Sequence, residues 1–353
     1  MEIGVTTFVE TTPDVHTGEV ISHAERLRQV VEEIVLADQV GLDVFGVGEH
    51  HRKDYAASAP AVVLAAAATR TKRIRLTSAV TVLSSDDPVR VFQDFATLDG
   101  ISNGRAEIMV GRGSFIESFP LFGYDLGDYD ELFEEKLELL LKICASEKVT
   151  WSGKFRPAIN DLGIYPRPVQ NPLPVWIGSG GTRSSVVRAG RLGLPLVLAI
   201  IGGSPFQFAP LVELYKTVAK REGHELSKLA VASHSHGFVA ETDDEAAEAF
   251  FPSTQYAMNV IGRERGWGYY DRRVYDAMRQ PEGALYVGSP RTVAEKIIQL
   301  RKRVGITRFM LHVPVGTMPH DQVMKAIELL GTEVAPVVRE EVARWEAEQA
   351  EER

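Results

Sequence analysis

Val44-Phe45-Gly46-Val47-Gly48-Glu49-His50-His51 is a short apolar run that ends in one carboxylate and two imidazoles. An apolar run this short, bounded by Gly41 and Gly48, reads as a buried strand. Upstream, Leu27, Val30, Val31, Ile34 and Ala37 share one helical face, and Ser22 with Glu25 three residues on makes a capping box at its start. In a parallel α/β protein the end of a buried strand is where catalytic groups gather, because side chains there can point into a shared cleft. A lone polar residue at that place would only cap a strand as it meets solvent. A Glu-His-His triplet predicts a functional site.

The same alternation extends outward in both directions. Apolar strand patterns fall at 3–8, 44–48, 74–83, 106–110, 175–178, 196–201, 229–239 and 306–313, with helical patterns between them. The helix starts carry their own signals. Asp87-Pro88 places a cap before proline at the first helical position, Asp128 precedes Glu131, Thr242 precedes Glu245, and Ser289-Pro290 repeats the cap-and-proline device. Eight strands alternating with helices predict an α/β protein of the (β/α)8 TIM-barrel class, a single domain over 1–353 with insertions at the C-terminal strand edge. Residues 149–155, with Ser152-Gly153 between two short runs, read as a small hairpin. The proline-dense stretch 165–174 must run extended. The weakly patterned stretch 262–286 reads as an excursion or lid over one barrel face, and 334–353 as a C-terminal helix.

Composition narrows the function. The chain has 353 residues, 44% hydrophobic and 25% charged, with a formal net charge of −9 spread along its length. An acidic chain without a basic stripe would repel nucleic acid and anionic membranes, so neither is expected as a partner. No apolar run approaches the ~20 residues of a membrane span, and residues 1–8 lack the basic start of a signal peptide; a cytoplasmic location is expected. The single cysteine, Cys144, shares an apolar helical face with Phe133, Leu137, Leu140 and Leu141 and reads as a buried structural thiol.

Several residues could carry chemistry besides the triplet. Gly178-Ser179-Gly180-Gly181-Thr182 follows the fifth strand and opens a helix, a place where backbone N–H groups can approach an anion; a tight turn would need the same glycines. Arg112, flanked by Gly111 and Gly113 just past the fourth strand, adds a fixed positive charge suited to phosphate at the same barrel edge. His234 and His236 share a face of the seventh strand, but no complementary ligand set has recognisable spacing, so no metal is expected. His312 reads as a core histidine.

Together these pieces resemble a family. Residues 47–51, the run 76–83 with Asp87-Pro88-Val89-Arg90, Ser102-Asn103-Gly104-Arg105, Gly111-Arg112-Gly113, and Pro166-Arg167-Pro168-Val169-Gln170 with Pro174-Val175-Trp176-Ile177-Gly178 are similar, in order and over nearly the whole chain, to the bacterial luciferase-like flavin monooxygenases. The resemblance implies a barrel that binds FMN at the C-terminal strand edge, with His50 as the catalytic histidine. It implies that Arg112, Ser179, Gly180, Gly181 and Thr182 hold the flavin phosphate. Ser78, Ala79 and Val80 would support the ring, with a cis peptide between the last two. It further implies reduced FMN from a separate flavin reductase, dioxygen and a small organic substrate as partners, and a homo-oligomer. Gly111 and Gly180 stand where the light-emitting enzymes carry a reactive cysteine and an acidic residue, so light emission is not expected. Two alternatives are a deazaflavin-dependent dehydrogenase transferring hydride and a non-catalytic flavin-binding protein.

Overall fold

The apolar runs form strands because their side chains can be buried on both faces. They are β1 (Glu2–Thr7), β2 (Val44–Val47), β3 (Arg75–Ser78), β4 (Ala106–Gly111), β5 (Val175–Ser179), β6 (Leu196–Ala199), β7 (Val231–Val239) and β8 (Arg308–His312). In the computed structural model, which describes residues 1–113 and 115–351, each pairs in parallel with the next in the chain. β8 then pairs back onto β1, from Glu2 opposite Arg308 to Thr6 opposite His312, and the ring closes. Among the described residues this is a closed eight-stranded parallel barrel with helices around it, the (β/α)8 class that the alternation predicts.

The first helix, His23–Gln39, shows how the outer layer is built. The Ser22 side chain accepts from the Glu25 amide at the N-cap, and Val30, Ile34 and Ala37 are fully buried against the barrel. Inside the ring, Val44, Ala79, Met109, Trp176, Val197, Ala232 and Met310 make a separate apolar layer. Below it, at the N-terminal end of the strands, lies a charged plug that sequence periodicity does not announce. Arg308 donates to both Glu107 carboxylate oxygens at 2.6 and 3.1 Å and to Glu2 at 2.6 Å, and its guanidinium lies 4.1 Å from the Trp176 ring centre. Buried charges survive only when paired in this way.

Four local expectations change. The third strand is not continuous over 74–83. β3 ends at Ser78, the Ala79–Val80 peptide is cis, and Thr81–Val82 resumes pairing beside Val110–Gly111 of β4. Residues 149–155 are not a closed hairpin: Lys148–Trp151 pairs antiparallel with Ile159–Gly163, further along the chain. The stretch 262–286 is largely ordered secondary structure rather than a plain excursion. It contains the end of the helix Asp243–Arg265, a second helix Arg272–Arg279, and the start of a strand, Tyr286–Gly288, that pairs with β7. Tyr270 is fixed there through its backbone, accepting from Asn259 at 3.0 Å and donating to it at 2.8 Å. Finally, the helices His320–Leu329 and Ala335–Glu351 run into each other through a wide turn at Leu330–Val334. No helix among the described residues is long and apolar enough to cross a membrane.

Candidate active site

Gly48 lets the end of β2 come close to β1. A Cβ at that position would sit 2.5 Å from the Phe8 ring, so only glycine admits the aromatic side chain beside the chain's exit from the barrel. The three residues that follow are not strand, and the alternation of side chains stops with Val47. His50 donates its amide to the Ala57 carbonyl at 3.0 Å, and its ring meets Phe8 at 4.7 Å, Tyr55 at 4.4 Å and Phe115 at 5.1 Å between centres. Burial in this aromatic cage, with the Arg52 charge nearby adding to it, depresses the His50 pKa to about 3. Its imidazole is neutral across the physiological range.

No strand pleat separates His50 from His51. Both histidines line one cavity, together with Glu49, Phe8, Ala79 and Val80. His51 Nε2 lies 2.8 Å from Glu49 Oε1, and Glu49 Oε2 accepts from the Val82 amide at 2.8 Å. Glu49 thus ties the end of β2 to the chain just past the cis peptide. This tie, invisible in sequence, fixes the spacing between His50 and Ala79–Val80.

The cis peptide is accommodated by missing side chains. A Cβ on Gly111 would lie 2.6 Å from Val80 Cγ2, and one on Gly178 would lie 2.9 Å from Val80 Cγ1. Glycine at the ends of β4 and β5 therefore makes room for Val80 at the mouth. Ser78 is used internally: its hydroxyl donates to the Met109 carbonyl at 2.9 Å and accepts from the Met109 amide at 3.1 Å, which stitches β3 to β4.

Across the mouth, Arg112 and Thr182 are brought together from 70 residues apart, with Arg112 Nη2 3.4 Å from Thr182 Oγ1. Arg112 also pairs with Asp130 and lies 5.2 Å from the Tyr129 ring centre. Thr182 precedes the helix Arg183–Leu192 but makes no side-chain cap to it; its hydroxyl donates to Ser185 Oγ at 2.9 Å instead. The first-turn amides are left with the positive end of the helix dipole and a guanidinium beside them, as an anion requires. Gly180 has open space where a Cβ would be, and Gly181 adopts φ +97°, a conformation suited to glycine. Ser179 is buried and accepts from the Gly181 amide at 3.1 Å, holding the turn. These residues fit a phosphate.

A second tie over the site was missed in sequence. Arg52 donates to both oxygens of Glu264 at 2.7 and 2.5 Å, approaches Glu117 at 3.3 Å and covers Phe115 at 4.7 Å. It joins the loop after β2 to the end of the helix Asp243–Arg265. His234, His236 and His312 lie inside the barrel, buried and held well below their ordinary pKa, mainly by burial. Among the described residues, no group of three or more His, Cys, Asp or Glu is arranged to hold a metal ion. Burial pushes the Cys144 thiol up to about 12, in keeping with a structural role.

Fold and site together define a parallel α/β barrel with a glycine-rich turn beside Arg112 and a caged histidine at its C-terminal mouth. The family model for luciferase-like monooxygenases matches residues 1–308, and the chain belongs to that family, whose members are oxidoreductases. It is 24% identical over 328 residues to the alkanal monooxygenase alpha chain of Aliivibrio fischeri, covering 86% of this chain and 90% of that one. It is 34% identical over 163 residues to the F420-dependent glucose-6-phosphate dehydrogenase of Amycolatopsis mediterranei, covering 44% of this chain and 48% of the relative. In fold it is similar to the oxygenating constituent of 3,6-diketocamphane monooxygenase of Pseudomonas putida, solved in complex with FMN. That match has a TM-score of 0.76 and 22% identity, and covers 96% of this chain and 98% of that one.

Proposed function

We propose that this protein is a monooxygenase that uses reduced FMN, delivered by a separate reductase, and dioxygen to oxygenate a small organic substrate. The observation that carries this reading is one cavity that joins His50 to the Ala79–Val80 peptide and extends to Gly113, next to Arg112 and the Thr182 turn. Arg112, Thr182 and the backbone of 179–182 would hold the phosphate, and Ala79–Val80 would support the ring. Reduced FMN, when bound, supplies two electrons, so that one oxygen atom enters the substrate and the other leaves as water.

The chain's own residues then have distinct tasks. His50, kept neutral by its cage, offers one N–H to donate and one lone pair to accept a proton or hydrogen bond at the reacting atoms. Phe8, Tyr55 and Phe115 around it exclude water. Glu49 and His51 hold His50 in register with Val82. A second reading, hydride transfer with a deazaflavin, is supported by the partial likeness to the F420-dependent dehydrogenase.

The absorbance spectrum and mass of the cofactor retained by the purified protein separate the two readings. Oxygen uptake with reduced FMN over a substrate panel then tests turnover. His50→Ala is expected to keep FMN within about threefold in affinity and to lose roughly 10²–10⁴-fold in product formation. Full product yield from that variant would remove His50 from the chemistry.

A further inference from the structure

An arginine side chain loses much rotamer freedom when it is fixed, so a guanidinium anchors an anion best where its surroundings have already chosen its direction. Arg112 is fixed on three sides. Its guanidinium lies 5.2 Å from the ring centre of Tyr129, one of its nitrogens is held by Asp130, and another is 3.4 Å from Thr182 Oγ1. Tyr129 and Asp130 open the helix Tyr129–Ala145, so one helical turn supplies both a face and an edge partner. A face contact and an edge contact together set the plane of the group. The edge left over is the one beside Thr182.

Tyr129 is itself held from two directions. Its hydroxyl donates to the Gly113 carbonyl at 2.6 Å, and the fully buried Phe119 stacks on its ring at 5.5 Å between centres. Gly113 directly follows Arg112 and has φ +77°; a Cβ there would sit 2.8 Å from Val82 Cγ1, so the barrel wall places this carbonyl. Val82 is the residue whose amide Glu49 accepts, and Gly113 lines the His50 cavity. Tyr129 therefore reaches from the wall of that cavity to the cation at the phosphate end. The two neighbours of the guanidinium differ in kind. Asp130 takes up N–H donors that a phosphate would need, whereas a ring face takes up none of the five and orients the cation without competing for them.

We propose that Tyr129 is a positioning residue of the phosphate site: its ring face holds the Arg112 guanidinium with free N–H groups toward the Thr182 turn, and so makes the protein prefer a phosphorylated flavin to an unphosphorylated one. The inference rests on the FMN reading and adds to it a residue that acts through Arg112.

Fluorescence titration of the full chain with FMN and with riboflavin tests the assignment in wild type, Tyr129→Phe, Tyr129→Leu, Arg112→Ala and the double variant Tyr129→Leu/Arg112→Ala, with thermal melts to confirm folding. A cation–π contact at a partly exposed site corresponds to about two- to fivefold in affinity, so Tyr129→Leu should weaken FMN by that factor. Riboflavin should stay within about 1.5-fold in Tyr129→Leu, and so should FMN in Tyr129→Phe, which keeps the ring face. In the Arg112→Ala background Tyr129→Leu should weaken FMN no further, because the group that it orients is gone. A merely structural tyrosine would weaken both flavins alike and would do so without Arg112 as well; either result would overturn the proposal. Equal FMN losses in Tyr129→Phe and Tyr129→Leu would overturn it too. Wild-type protein that binds FMN no better than riboflavin would sink the FMN reading and this inference with it, whereas a preference for FMN that Tyr129→Leu leaves intact would sink this inference alone.

Discussion

Replacing Arg112 with alanine should weaken FMN binding and spare riboflavin, and the size of the effect follows from the surroundings of the guanidinium. One of its nitrogens is held by Asp130 and another is 3.4 Å from Thr182 Oγ1, so a bound phosphate must share or displace the Asp130 carboxylate. A hydrogen bond to a charged group contributes about 1.5–3 kcal/mol. The Arg112 side chain is 22% exposed and that of Asp130 67%, which puts the contact at the weaker end and makes the pair to be broken worth only about 0–1 kcal/mol. The net, about 0.5–1.5 kcal/mol, corresponds to a loss of roughly 2- to 13-fold. Asp130→Asn should act in the opposite sense, tightening FMN about two- to fivefold by releasing the guanidinium and removing a like charge. Flavin fluorescence titrations at two salt concentrations would read both variants. FMN affinity should fall with salt in wild type and less steeply in Arg112→Ala. Equal losses for FMN and riboflavin, or weaker FMN binding in Asp130→Asn, would place the phosphate elsewhere.

Three further outcomes are expected. Glu107→Ala should cost about 3–5 kcal/mol in denaturant unfolding, because it leaves Arg308 buried with only Glu2, and a cost under about 1 kcal/mol would show that the plug is not structural. Gly111→Ala should destabilise by about 1–3 kcal/mol through its clash with Val80, and Val80→Ala should relieve that cost in a double-mutant cycle; simple additivity would refute the contact. The fold should also lose stability in mild acid. His50, His234, His236 and His312 have folded pKa values below the unfolded 6.5, so below about pH 6.5 the unfolded chain binds protons that the folded one does not, and stability falls as pH falls toward about 3. Glu10, raised to about 8, and Asp86, raised to about 6, act with the opposite sign above their unfolded values, so the slope should be smaller than four histidines alone would give. Denaturant melts at pH 5, 6 and 7 would check this; unchanged stability across that range would contradict it.

What the amino-acid sequence determined by itself is the repeating part of the molecule. Strand and helix periodicity, caps such as Ser22 and Asp87, and proline at first helical positions are local properties, and they carried all eight barrel strands and the place of His50 at a strand end. Residue type and order also placed Arg112 and the 178–182 turn on the same barrel edge, since every parallel strand ends there. Local pattern failed where a neighbour distant in the chain decides the outcome. The break in the third strand depends on Gly111 and Gly178 standing opposite Val80, and the shared cavity of His50 and His51 depends on Glu49 reaching the Val82 amide. The plug formed by Arg308, Glu107 and Glu2 joins residues up to 306 positions apart, and no window of sequence contains it. Protonation was the least legible of all. His50 and Glu10 have ordinary values as free side chains, and only enclosure by the aromatic rings and the barrel wall makes one neutral as a base and the other neutral as an acid, because desolvation acts against whichever form is charged.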